Sequence, residues 1–273
     1  MSKAGLTVGL VHLWSNLHSA TMQINLVQLD IAWESPAENY ARIDALLGSA
    51  LPEAGSLVVL PEMFATGFSL NRHSHDYTGI ESPDIYLSRT AKRLKCWVAG
   101  GAAILGPDKN FRNQQLLINP SGECVARYSK MRLFHHGGEE RMCQAGMEVV
   151  VASLEKWKVA PLVCYDLRFP ELFREGVKRG AELFIVIANW PSIRSEHWIT
   201  LLRARAIENQ AYVIGVNRCG RDPEHEYSGH SVVIDSKGNV LLDAGDAETI
   251  AQTKLDRMDM LSWREEFPVM RDI

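Results

Sequence analysis

Cys164 ends the apolar run KVAPLVC, and the helix-like stretch FPELFREGVKRG follows within a few residues. A thiol on such a strand-to-helix turn is presented to a ligand and meets free backbone N–H groups. Both features lower its pKa and offer donors to a developing oxyanion. Glu62 and Lys130 stand in comparable places: Glu62 follows SLVVLP, and Lys130 follows a strand-like run ending at Tyr128. Taken alone, Cys164 reads more readily as a small core residue, and each charge equally well as half of a structural ion pair. Three such groups at separate strand ends can converge on one sheet edge, where α/β sites lie. Together they supply a nucleophile, a base for its thiol that can return a proton to a departing amine, and a fixed positive charge.

The elements that must position these groups alternate along the chain. MQINLVQL (Met22 to Leu29) places Met22, Ile24 and Leu26 on one face of a strand. Ser35-Pro36-Ala37-Glu38 has the form of a capping box, with Ser35 at the N-cap, Pro36 first in the helix and Glu38 reaching back. Tyr40, Ile43, Leu47 and Ala50 continue its apolar stripe. Ser82-Pro83-Asp84 opens a second helix by the same chemistry. VAGGAAIL and QLLINPSGECVARY read as strands, the latter a pair joined by a turn at Asn119 to Gly122. In the second half, ELFIVIAN and YVIGVN read as buried strands, HWITLLRARAIENQ as a helix, and SVVIDSKGNVLLD as a hairpin. Apolar strands alternating with helices imply an α/β fold with covered sheets. No Gly-, Pro- or Ser-rich linker divides it, so residues 22–273 read as one domain. Residues 1–21 read as an N-terminal extension outside it.

The chain has 273 residues, 46% of them hydrophobic and 23% charged, enough for a core without staples. Its formal net charge of -4, from 29 basic and 33 acidic residues, lacks the basic excess of a nucleic-acid binder. The run LTVGLVHLW near the start is too short to span a membrane, and no other stretch approaches membrane length. Five cysteines with no CxxC spacing argue against a disulfide framework and fit a reducing, cytoplasmic setting. His73, His75, His135 and His136 lack acidic or cysteine partners at ligand spacing, so no metal is expected.

The motifs LPEMF, YSKMRLF and VCYDLRFPE, in that order, resemble the Glu-Lys-Cys signature of the nitrilase, or carbon–nitrogen hydrolase, superfamily. The resemblance runs from Met22 to the C-terminus. ANWPSIRSEHW followed by LLRARAIENQAYVIGVNR is similar to the omega-amidase branch, whose members hydrolyse 2-oxoglutaramate to 2-oxoglutarate and ammonia. It implies a four-layer α-β-β-α sandwich that forms a homodimer, and a small amide as substrate with no cofactor. It also implies catalysis by Glu62, Lys130 and Cys164, with the Tyr165 backbone N–H helping to hold the oxyanion. A second glutamate before Gly146 is expected, and Glu139 is preferred to Glu140. Arg132 and His230 depart from the commoner residues of the superfamily, with consequences for a loop or the far end of the substrate. Another amidase or N-carbamoyl hydrolase of the superfamily, or a deaminated-glutathione amidase, is the nearest alternative. A catalytically idle scaffold is the alternative of another class.

Residues near these motifs are read by what they could touch. Asp166, Arg168 and Glu171 read as an ion-pair and turn framework beside the nucleophile. Trp190, Phe64 and Phe68 could wall a pocket or fill the core. A 2-oxo acid amide carries a carboxylate that needs a cation, and NWPSIRSEHW offers Arg194, with His197 a turn away. Surface pairing of Arg194 with Glu196 is the alternative.

Overall fold

The computed structural model describes residues 21–272. Its first half runs β1 (Thr21–Gln28), α1 (Pro36–Ser49), β2 (Leu57–Val59) and α2 (Pro83–Leu94). Strands β3 (Trp97–Leu105), β4 (Phe111–Ile118) and β5 (Cys124–Ser129) follow. The second half contains β6 (Ala152–Leu154), β7 (Trp157–Val163), α3 (Pro170–Lys178) and β8 (Leu183–Ala188). Next come α4 (Ser195–Asn209), β9 (Tyr212–Asn217) and the hairpin of β10 (Cys219–Arg221) with β11 (Glu226–Ser228). Strands β12 (Val232–Ile234), β13 (Val240–Asp243) and β14 (Thr249–Asp256) precede α5 (Arg257–Glu266).

Two six-stranded sheets result, ordered β14-β1-β2-β3-β4-β5 and β13-β12-β9-β8-β7-β6. Each has three parallel strands at its centre, β1-β2-β3 in one and β7-β8-β9 in the other. Strand β5 is antiparallel to β4, itself antiparallel to β3, so β5 points the same way as β2. The inner faces share one apolar cluster: Ile24, Leu26, Val59 and Leu117 of the first sheet meet Val159, Val163, Ile185 and Ile187 of the second. On the outer face of the first sheet, Val27, Leu29, Val58 and Leu60 pack against Tyr40, Ile43 and Leu47 of α1 and Tyr86 and Leu87 of α2. On the second sheet, Phe173 of α3 packs at a tilt against Phe184 of β8, and Trp198 and Leu202 of α4 close over Gly215. The order is therefore α-β-β-α, as the resemblance implies.

Some local expectations are corrected. Ser35 occupies the N-cap of α1, yet its side chain makes no cap hydrogen bond. Glu38 bonds Arg42 one turn on, at 2.7 Å, because a charge-assisted pair competes well with the reach back to the cap. Ser82 likewise donates to the Asp84 carboxylate at 2.6 Å rather than capping α2. Of the extension expected over residues 1–21, residues 1–20 lie outside the described residues. Thr21 opens β1 and pairs with Asp256, so the first strand starts one residue before Met22.

Candidate active site

Glu62 follows β2 through Leu60 and Pro61, which hold to β3 by backbone bonds at Ala99 and Gly101. The chain passes so close to Gly101 that a Cβ there would lie 2.8 Å from the Glu62 Cα. Lys130 leaves β5 with its N–H on the Asn113 carbonyl, at 2.8 Å, and its carbonyl receives Gly146 N–H. Glu139 lies in a short helical turn (Glu139–Arg141) that points its carboxylate inward, while Glu140 faces outward to His135.

These three side chains form one buried cluster. The Lys130 ammonium lies 3.2 Å from Glu62 Oε1 and 2.8 Å from Glu139 Oε2. Asn113 Nδ2 donates to both carboxylates, at 2.6 and 2.8 Å. The Asn189 backbone N–H reaches Glu62 Oε2 at 2.8 Å, and Phe134 N–H reaches Glu139 Oε2 at 2.7 Å. Burial by itself would push the lysine down, but the carboxylates of Glu139 and Glu62 more than reverse this and hold it well above its usual range. The ammonium is thus a permanent positive charge.

Cys164 opens a tight helical turn (Cys164–Arg168) directly after β7, with φ of +47°. That left-handed conformation is rare for a residue with a side chain. The first N–H groups of a helical turn lack an intrahelical partner, and Tyr165 is the second residue of this one. The thiol lies 3.9 Å from the carbonyl of Asn189, whose backbone N–H holds the Glu62 carboxylate. The expected lowering of the thiol pKa is overturned. Burial, and then the Glu62 carboxylate, push it well above its usual range, with Lys130 pulling the other way. Two carboxylates and one ammonium surround the sulfur, so the resting group is the neutral thiol.

A cavity of about 420 Å³ opens above Cys164 and Lys130. Phe68, Tyr165, Trp190 and Arg194 line it, as does Arg168, which had read as framework. The Arg168 guanidinium lies 4.7 Å over the Trp190 ring, and Arg194 lies 5.9 Å from the Phe134 ring. Neither arginine has a carboxylate partner within ion-pair distance among the described residues, and Glu196 does not pair with Arg194. Burial lowers the hold of Arg168 on its proton, and the charge of Arg194 lowers it further. One expected pocket residue lies outside the lining, and Phe64 takes the core alternative. His197 is exposed in the first turn of α4, outside the pocket lining, where its Nδ1 meets Arg168 at 3.3 Å. Phe64 is buried between α1 and α2 against Tyr40 and Tyr86.

The sequence profile of the carbon-nitrogen hydrolases matches residues 23–265. The chain belongs to the carbon-nitrogen hydrolase family. The omega-amidase YafV of Yersinia enterocolitica is 38% identical to it over 256 residues, 93% of this chain and 97% of that protein. The 2-oxoglutaramate amidase of Bacillus subtilis is 33% identical over 252 residues, 92% and 96% of the two chains. Among solved structures, XC1258 of Xanthomonas campestris, a CN-hydrolase superfamily protein with an arsenic adduct in its active site, superposes with a TM-score of 0.84. It is 34% identical, covering 93% of this chain and 97% of that one. Within this family member the two departures noted above fall outside the cluster. Arg132 pairs with Glu171 at 3.1 Å on the surface, and His230 meets Asp243 at 3.0 Å. Sequence reasoning missed Asn113 and Asn189, which hold Glu62, and Trp33 and Tyr227, which wall the cavity. A run of four polar residues, Arg112 to Gln115, inside the strand-like FRNQQLLI was the available signal at Asn113, and it does not single that residue out.

Proposed function

We propose that the protein is an omega-amidase that hydrolyses the terminal carboxamide of 2-oxoglutaramate to 2-oxoglutarate and ammonia. The observation that carries this reading is the enclosure of Cys164 with Glu62 and Lys130 at the base of a cavity. Two half-buried guanidiniums, Arg168 and Arg194, with no carboxylate partner among the described residues also line that cavity. The names of the relatives point to the same substrate.

Glu62 takes the Cys164 proton as the sulfur attacks the amide carbonyl, so charge never rests on an unpaired thiolate. The oxyanion forms between the Lys130 ammonium and the Tyr165 N–H. Glu62 then protonates the leaving nitrogen, ammonia departs, and a thioester remains. Water gives a proton to the same carboxylate, adds to the thioester carbonyl, and releases the acid as sulfur recovers its proton. Glu139 holds Lys130 in place through all these steps. The far carboxylate of the substrate would be costly to bury alone. An anion between Arg168 and Arg194 relieves their mutual repulsion and supplies that partner. The homodimer also belongs to this proposal, supported by apolar side chains left exposed at Met147 and Ile193. A reducing compartment fits the five free cysteines.

The test is ammonia release across 2-oxoglutaramate, a neutral amide of the same length, an N-carbamoyl amine and deaminated glutathione. Arg168→Met and Arg194→Met should each raise KM for 2-oxoglutaramate by about tenfold or more while leaving the neutral amide near its starting value. Faster turnover of either rival, or equal losses on the charged and neutral amides, would assign the cavity to another substrate.

A further inference from the structure

Asp166 is fully buried, does not line the cavity, and has no ion-pair partner among the described residues. Its carboxylate nonetheless accepts three hydrogen bonds. Oδ2 accepts Val163 N–H at 3.0 Å and the Tyr128 hydroxyl at 2.9 Å, and Oδ1 accepts Arg132 N–H at 2.9 Å. Val163 immediately precedes Cys164. Tyr128 and Arg132 lie two residues to either side of Lys130. A turn that needed only to be closed could use a neutral side chain and avoid the desolvation of a buried charge. What the charge adds is three acceptor positions on one rigid plane, each serving a segment next to a reacting group. It also acts where Cys164 adopts its left-handed φ, a conformation that persists only where surroundings over-determine it.

We propose that Asp166 is a positioning residue, whose carboxylate ties the strand end before Cys164 to both sides of Lys130 and thereby fixes sulfur against ammonium. The proposal rests on the assignment of Cys164 and Lys130 above. Burial pushes the Asp166 carboxyl up to about 7; Lys130, the Val163 and Arg132 N–H groups and the Tyr128 hydroxyl act in the opposite direction. When the carboxyl is protonated, one oxygen becomes a donor and gives up part of the tie. The tie is therefore intact above this range and loosens as pH falls through it. The charged or titratable groups facing it are Tyr128, Lys130 and Arg132 from β5 and the segment beyond. Arg205 of α4 adds its charge to the same turn through the Leu167 carbonyl. Strand β8 contributes only apolar side chains, and β7 ends in the same way before Cys164.

The test compares Asp166→Asn and Tyr128→Phe with the parent by ammonia release, Cys164 alkylation with iodoacetamide, and thermal melts. Asparagine keeps the shape but loses one acceptor, so kcat should fall by about tenfold or more with KM nearly constant, at temperatures where the variant is folded. Tyr128→Phe removes a bond that favours the ionised carboxyl, so the acid limb of the kcat profile should move up by about half a pH unit or more. Unchanged kcat in Asp166→Asn, a loss that only tracks the unfolded fraction, or a superimposable profile for Tyr128→Phe overturns the proposal. Full turnover by Cys164→Ala would instead overturn the nucleophile assignment beneath it, and this proposal with it.

Discussion

At the scale of single residues, the site is a problem of charge balance. Glu62 and Glu139 share one ammonium, and Cys164 stays neutral because a thiolate would add a second uncompensated negative charge. The nucleophile is therefore generated only as it is used, by transfer of its proton to Glu62. Cys164→Ala should abolish amide hydrolysis in a folded protein, while changes at Cys96, Cys124, Cys143 or Cys219 should keep most of it. Lys130→Met should reduce kcat by about a hundredfold or more. It should also destabilise by about 3–5 kcal/mol, because two buried carboxylates lose their partner. Kinetics and a denaturant titration check both; a lysine variant with normal turnover would remove the oxyanion role. The proposed catalytic trio was legible in the sequence because ionisable side chains stand out at the ends of apolar runs. Asn113 and Asn189 were not, since neutral amides carry no such contrast. The direction of the thiol pKa was misread for a related reason: a turn can be read from local sequence, but the two carboxylates folded around it cannot.

At the scale of elements, each proposed catalytic group sits one to three residues beyond the end of a strand, where the ladder has stopped and side chains can turn inward. The sheets must also leave room for them. Gly101 of β3 lies under Glu62, and a methyl there would meet Ile187 Cδ1 at 2.5 Å and the Met63 N at 3.0 Å. Gly101→Ala should destabilise by about 1–3 kcal/mol through overpacking and should lower kcat because the backbone carrying Glu62 must shift. Calorimetry together with kinetics would show it; an alanine variant with parental melting and turnover would mean the strand accommodates the methyl. Long apolar runs such as KVAPLVC and ELFIVIAN announced β7 and β8 directly. The strands that escaped were β6, β10 and β11, at three residues each, and β14, whose TIAQTKLD mixes polar and apolar positions. Strand β14 is recognisable only by its partner β1, more than two hundred residues earlier in the chain.

At the scale of the molecule, the return of β14 to the first sheet makes the two halves of the chain depend on each other. The chain leaves the second sheet after β13, completes the first beside β1, and then crosses back as α5 to seat on the second. Arg257 at the start of α5 bonds Glu182, just before β8, with Nε to Oε2 at 2.9 Å. The Tyr212 hydroxyl donates to the Asp256 carbonyl at 2.8 Å, and Arg264 Nε donates to the Gln210 carbonyl at 2.8 Å. With one apolar cluster between the sheets and this strap at their edge, the described residues should unfold as one cooperative unit. Arg257→Ala tests the arrangement, because it leaves the nearly buried Glu182 carboxylate without its charged partner. The pair is partly open to water on the arginine side, so the cost should be about 2–3 kcal/mol, below that of a fully enclosed pair. The melt should shift to lower temperature as a single transition, with the loss of tryptophan near-ultraviolet dichroism and of amidase activity coinciding. Separate transitions for those two signals would mean that the sheets fold independently and that the strap only decorates their junction.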